Sequence, residues 1–145
     1  MGQSGVAVMS LVLDASVTLA WIYQDETTEG VQRSFDLVRT NGAWVPLLWL
    51  WEVANVLQMN VRRGRHNTKF RDRALADLAL FPIREDAEAG RQAWSGSLTL
   101  AERHGLTVYD AAYLEVALRR GLPLATLDQD LRRAASAEKV QLLGG

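Results

Sequence analysis

Short apolar runs alternate with longer amphipathic ones along nearly the whole chain. Leu11-Val12-Leu13, Ala43 to Val45, Leu122 to Leu127 and Val140 to Leu143 are too short for helices and read as strands, with Pro123 interrupting the third early and Pro82-Ile83 adding a brief edge-like segment. Between them, helical spacing runs over Ala15 to Tyr23, Thr27 to Thr40, Leu47 to Arg63, Asn67 to about Leu80, Asp86 to His104, the segment beginning at Thr107, and Gln129 to Glu138. Asp25, Glu26 and Glu29 are expected in the first turn of the second helix, and Asn41-Gly42 closes it as a left-handed cap would. Phe70, Ala74, Leu75 and Leu78 form the inward side of the fourth. Strands alternating with helices predict a single α/β domain, a short central parallel sheet with helices on both faces.

The segment Leu47 to Arg63 departs from ordinary amphipathicity. Leu47, Leu48, Trp49, Leu50, Trp51, Val53, Val56, Leu57 and Met59 leave almost no polar side, so this helix is either central or covered by a partner, with Trp49 and Trp51 the expected contact. Glu52 and Asn55 are its polar exceptions, three apart and on one face.

Composition narrows the function classes. At 145 residues and 48% hydrophobic the chain suits one core, and a formal charge of -1 gives no global pull toward nucleic acid or membrane. Absence of cysteine removes disulfides, thiolate nucleophiles and the common zinc sites, and fits a cytoplasmic protein. No apolar run approaches the roughly 20 residues of a bilayer span. Residues 1–8 read as an N-terminal extension, with Met9 as an alternative start and 9–145 as the domain. Arginine clusters at Arg62, Arg63, Arg65, Arg71 and Arg73, at Arg119-Arg120 and at Arg132-Arg133, where it could guide a nucleic-acid backbone or serve only as a solvated surface.

Four acids carry the chemistry. Asp14 and Asp128 each stand between a strand and a helix, Asp110 lies in the first turn of its helix three residues after Thr107, and Glu52 sits one turn inside the long apolar helix. Singly, each has an ordinary explanation as a cap, a first-turn acid or a surface charge. Together they change meaning, because strand-to-helix junctions of a parallel sheet share the carboxyl edge where open α/β folds bind ligands. Clustered carboxylates repel, and a divalent ion resolves the conflict; oxygen-only ligands favour Mg²⁺ or Mn²⁺ over zinc. Ser16, Asn55, Thr126 and Asp130 are supporting candidates, the hydroxyls able to hold a carboxylate or serve as local turn groups.

Leu13-Asp14-Ala15-Ser16-Val17, Pro46 through Trp51-Glu52-Val53-Ala54-Asn55-Val56-Leu57, Tyr109-Asp110-Ala111-Ala112-Tyr113-Leu114 and Leu124-Ala125-Thr126-Leu127-Asp128-Gln129-Asp130-Leu131 resemble, in order, the four acidic motifs of PIN-domain ribonucleases. The similarity is greatest to the VapC-like toxins of bacterial toxin-antitoxin pairs and runs from about Met9 to the end of the chain. It implies catalytic acids and metal ligands at Asp14, Glu52, Asp110 and Asp128, a Mg²⁺-dependent endoribonuclease acting on RNA through a metal-activated water, a small antitoxin partner and a homodimer. Arg62 to Gly105 carries no family signature.

Two other readings compete. A non-catalytic interaction module would use the acids as caps and the apolar helix as its contact. A phosphoacceptor aspartate would need a second acid where Ser16 stands and a lysine near the site, for which only Lys139 is late enough in the chain. A dinucleotide-binding oxidoreductase is disfavoured because Asp14-Ala15-Ser16 occupies the place of a glycine-rich turn.

Overall fold

The computed structural model describes residues 9–145, so the extension expected at 1–8 lies outside the described residues. Five short strands, β1 (Leu11–Leu13), β2 (Ala43–Val45), β3 (Ile83–Glu85), β4 (Leu124–Ala125) and β5 (Leu142–Leu143), form one sheet in the order β3-β2-β1-β4-β5, every neighbour parallel. Eight helices connect them: α1 (Ala15–Ile22), α2 (Glu29–Asn41), α3 (Leu48–Arg62), α4 (Thr68–Leu78), α5 (Glu88–Arg91), α6 (Gly96–His104), α7 (Val108–Arg120) and α8 (Gln129–Ala137). The central strand β1 is buried at all three positions, as a strand covered on both faces must be. Around it Val17, Phe35, Leu57, Tyr113, Leu114, Leu124 and Leu131 fill the core.

The strand order decides where a site can lie. From β1 the chain builds outward to β2 and β3 on one side, then crosses to β4 and β5 on the other. The reversal falls between β1 and β4, and open α/β sheets bind ligands at that switch, outside the carboxyl ends of the strands. Asp14 follows β1 there, with its N–H bonded to the Ala125 carbonyl at 3.0 Å, and Thr126 to Asp128 follow β4.

Several elements differ from the sequence-based expectations for identifiable reasons. Asp25 and Glu26 belong to a separate 3₁₀ turn (Gln24–Glu26), because Thr28 caps α2 through the Val31 N–H and leaves only Glu29 in its first turn. Gly42 has φ 81 and ψ 178, a glycine conformation but not the left-handed cap expected of it, and Gly105 and Gly121 supply that geometry instead. The run from Asp86 to His104 is two helices: Gly90 and Gly96 weaken its propensity, and a turn at Gln92 to Ser95 exposes Trp94. Phe70 is 40% exposed and not part of the core, stacking near Tyr23 and His66 at the surface.

Candidate active site

Asp14 is buried at the start of α1 but does not use its side chain as a cap. Its Oδ2 accepts two hydroxyl hydrogen bonds, from Thr126 at 2.6 Å and from Ser16 at 2.8 Å. Those hydroxyls are themselves fixed: Thr126 Oγ1 accepts the Asp128 N–H at 3.1 Å, and Ser16 Oγ accepts the Leu127 N–H at 2.9 Å. Each hydroxyl therefore accepts a hydrogen bond from the β4–α8 turn and donates one to Asp14. Both bonds converge on Oδ2 and leave Oδ1 engaged by no side chain among the described residues.

The same division of labour recurs at two other acids. Asp128 caps α8, its Oδ1 accepting the Leu131 N–H at 2.8 Å, so its second oxygen remains available. Glu52 receives the Tyr113 hydroxyl on Oε1 at 2.5 Å, and its Oε2 has no partner among the described residues. Glu52 is set in place by Trp49, one turn earlier, whose Nε1 donates to Thr18 Oγ1 at 2.9 Å and locks α3 against α1. Trp49 is thus a core residue, whereas Trp51 is 72% exposed. Asp110 lies half-buried in the first turn of α7, where its N–H donates to Thr107 Oγ1 at 3.1 Å.

Electrostatics join these acids into one group. Burial, first, raises the Asp14 carboxyl above its ordinary range, and Asp128 adds to the rise; the Thr126 and Ser16 hydroxyls and the Ala15 N–H only partly oppose it. Burial likewise raises Glu52, against the Tyr113 bond and with help from the charges on Asp14 and Asp110. Asp110 is raised by burial and then by Asp128, Asp14 and, less strongly, Asp130. Tyr113 is held far above the ordinary phenol value by burial and by the Asp14 and Glu52 charges, so its hydroxyl remains a donor.

Among the described residues, no three acid, histidine or cysteine side chains yet enclose a cation as they stand. The donor set nonetheless fits one: oxygens only, with one oxygen each of Asp14, Glu52 and Asp128 free of side-chain partners. Clustered carboxylates repel one another, and a cation among them would offset that repulsion.

The supporting candidates separate. Ser16 and Thr126 contact Asp14 directly. Asn55 turns away, its Nδ2 meeting Met59 Sδ at 3.5 Å. Asp130 pairs with Arg133 at 2.8 Å on the exposed face of α8, contributing only its distant charge. Sequence reasoning missed Tyr113 as a site residue; its signal was the three-residue spacing from Asp110 on one helix. It also missed Asp86, another acid directly after a strand. Buried Asp86 is neutralised by Arg119 at 2.8 Å and by Arg120, and so does not join the group.

Comparison with known proteins bears on the family and the fold. Residues 11–137 match the family model described as PIN domain. The chain is 32% identical over 123 residues to Ribonuclease VapC3 of Pyrobaculum aerophilum, covering 85% of this chain and 92% of that one. Its fold is similar to PAE2754 from Pyrobaculum aerophilum, with TM-score 0.63 and 23% identity over 90% of this chain and 87% of that chain. It is similar also to a chain of VapBC2 from Rickettsia felis, a structure containing a DNA fragment from the promoter, with TM-score 0.62 and 16% identity over 92% and 97% of the two chains. By its matched length, its strand order and the acids at its sheet edge, the chain belongs to the PIN-domain family.

Proposed function

We propose that this protein is a Mg²⁺-dependent endoribonuclease, with Mn²⁺ able to substitute, acting as the toxin of a toxin-antitoxin pair in the cytoplasm. The observation that carries the reading is the group of coupled carboxylates at the switch point, three of them with one oxygen committed to the protein and one left over. The likeness to a protein named as a VapC ribonuclease supports the choice of RNA as substrate, and the likeness to a chain of a VapBC2 structure supports the choice of a small antitoxin as partner.

Asp14, Glu52, Asp110 and Asp128 would hold the cation. When bound, it supplies positive charge to the phosphoryl oxygens and acidifies water for attack on the phosphodiester. The protein's own work is orientation. Ser16 and Thr126 keep Asp14 in one rotamer, Tyr113 keeps Glu52 in one, and the Asp128 cap ties a third acid to the end of α8. Burial of Asp14 excludes water from its protein-facing side and keeps its negative charge unscreened.

Basic groups near the substrate path are fewer than the arginine count suggests. Arg65 is committed to Asp25 and Glu26, Arg71 to Asp72, and Arg119 and Arg120 to Asp86. Arg133 is likewise paired, with Asp130, which leaves Arg62, Arg63, Arg73 and Arg132 as the cluster members without an acid partner among the described residues, Arg132 being held by backbone carbonyls. Leu47, Leu50 and Trp51, exposed at the start of α3, are the apolar surface we assign to a protein contact, antitoxin or second copy.

The test is cleavage of a mixed set of structured RNAs with Mg²⁺, with Mn²⁺ and with chelator, run beside Asp14→Asn at equal concentration. Metal-dependent cuts lost in the variant are expected. No cuts, together with no thermal stabilisation by Mn²⁺, would overturn the nuclease reading in favour of a non-catalytic interaction module built on the exposed α3 surface.

A further inference from the structure

Resting on that nuclease reading, the geometry points to Arg132 as a positioning residue for the carboxylate group, acting through the backbone of the β4–α8 turn. Arg132 lies in the first turn of α8, partly buried. Its Nη1 donates to the Thr126 carbonyl at 2.7 Å and to the Leu143 carbonyl at 3.1 Å. One nitrogen thereby bridges the ends of two neighbouring strands, β4 and β5, which are also joined there by the Thr126 N–H to Leu143 carbonyl bond at 3.2 Å. Packing closes the other side: a side chain at Gly145 would have its first carbon 2.7 Å from Nη2, so the backbone lies directly against the guanidinium.

What Arg132 clamps is the turn that orients Asp14. Thr126 carries the hydroxyl 2.6 Å from Asp14 Oδ2, and the next two N–H groups, on Leu127 and Asp128, fix the Ser16 and Thr126 hydroxyls. A shift of this turn would release both hydroxyls from Oδ2 and free the carboxylate to rotate. The action is mechanical: among the described residues the guanidinium bonds the two carbonyls and pairs with no carboxylate. The Thr126 carbonyl is a buried acceptor just past the end of β4 that Arg132 satisfies, and the half-buried Leu143 carbonyl takes the same nitrogen alongside the Thr126 N–H. An arginine suits this because its fork is rigid, whereas a lysine offers a single mobile point charge.

The experiment compares wild type, Arg132→Gln, Arg132→Lys, Thr126→Val and the double variant Arg132→Gln/Thr126→Val. Three readouts are taken: amide exchange in chelator, calorimetric Mn²⁺ titration, and RNA cleavage resolved into kcat and KM. Arg132→Gln should speed exchange at the Leu127 and Asp128 amides while the β1 and α7 amides keep their protection. It should weaken Mn²⁺ binding and lower kcat by about 10–100-fold, the usual cost of losing support behind a ligand, with KM within about two-fold. Arg132→Lys should fall between. The double variant should lose less than the two single losses combined, because the Thr126 hydroxyl is one of two routes from the turn to Asp14, the other running through Leu127 and Ser16. Unchanged local exchange and Mn²⁺ affinity in Arg132→Gln, or a loss additive with Thr126→Val, would overturn the assignment. A loss confined to KM would overturn it too, making Arg132 an RNA contact. A wild type that neither binds Mn²⁺ nor cleaves RNA removes the nuclease reading itself, a result distinct from a sound wild type with an unaffected variant.

Discussion

The Tyr113 hydroxyl donates to Glu52 Oε1 at 2.5 Å, joining α7 to α3 across 61 residues of sequence. The ring is fully buried, so its position is set by packing, and the carboxylate follows the ring. Tyr113→Phe keeps the packing and removes only the donor. Glu52 is half-exposed, and water can replace the lost bond, so the melting temperature should stay within a few degrees. The expected loss is in function: RNA cleavage down by about 10–100-fold with weaker Mn²⁺ dependence, as for other groups that orient a ligand. Single-turnover cleavage against Mn²⁺ concentration measures it, and wild-type values would show that Glu52 needs no such support.

Asp14 should trade stability for activity. Its folded carboxyl is raised chiefly by burial, so the native state binds the proton more readily than the unfolded chain. Stability then falls as pH rises from 3.8 through the folded value, and above it the ionised group is a net cost. Asp14→Asn removes that cost while keeping an oxygen for the two hydroxyls. In chelator at neutral pH the variant should melt higher than wild type, by roughly 1 kcal/mol of added stability. In Mn²⁺ the order should narrow or reverse, since wild type alone gains from the ion, and cleavage should be lost. Thermal unfolding in the two buffers, beside an RNA assay, tests both halves.

How much of this was readable in the sequence follows from the range of each interaction. Asp14 and Asp128 were legible because a strand, an acid and a helix are consecutive, and Ser16 because it lies two residues from Asp14. The sheet order was not: parallel pairing joins β1 to β4 across more than a hundred residues, and alternation alone fixes no neighbour. Asp86 has the same local pattern as Asp14, and only the arginines 33 and 34 residues away separate a neutralised structural acid from an uncompensated one. The break inside 86–104 left a trace in Gly90 and Gly96, which hydrophobic spacing outweighed. Trp49 and Trp51 show the same limit, since two residues along one apolar helix separate a core ring bonded to Thr18 from one facing solvent.

Trp51 offers a test of the surface on α3. At 72% exposure it contributes little to the folded monomer, and Leu50 beside it is 49% exposed. Leu50→Glu combined with Trp51→Ser should alter the stability of the isolated chain by no more than about 0.5 kcal/mol, the usual range for surface changes. If this face meets a partner, the same pair of changes should shift sedimentation toward monomer or abolish capture of the proposed antitoxin. Unchanged self-association and unchanged antitoxin binding would move the contact elsewhere on the molecule.

Asp86 should respond to pH with the opposite sign to Asp14. Burial alone would raise its carboxyl, but hydrogen bonds and charge from Arg119 and Arg120 outweigh that and hold it at about 2. A depressed folded value means stability that is present above 3.8 and lost as pH falls from there toward about 2. The side chain also accepts the Ala89 N–H at 2.8 Å, so it anchors the start of α5 as well as the end of α7. Asp86→Ala should cost about 3 kcal/mol, the low end for breaking a buried pair, because Arg119 retains Glu115 and Arg120 retains the Trp44 ring. Asp86→Asn keeps an acceptor for the Ala89 N–H and should cost less, yet it removes the titrating group. Urea unfolding from pH 2 to pH 5 distinguishes them: wild type loses stability toward pH 2, and both variants flatten that limb. A wild-type slope retained in Asp86→Asn would place the acid-sensitive charge at another residue, with Glu138, lowered by His104 and Arg103, the next to test.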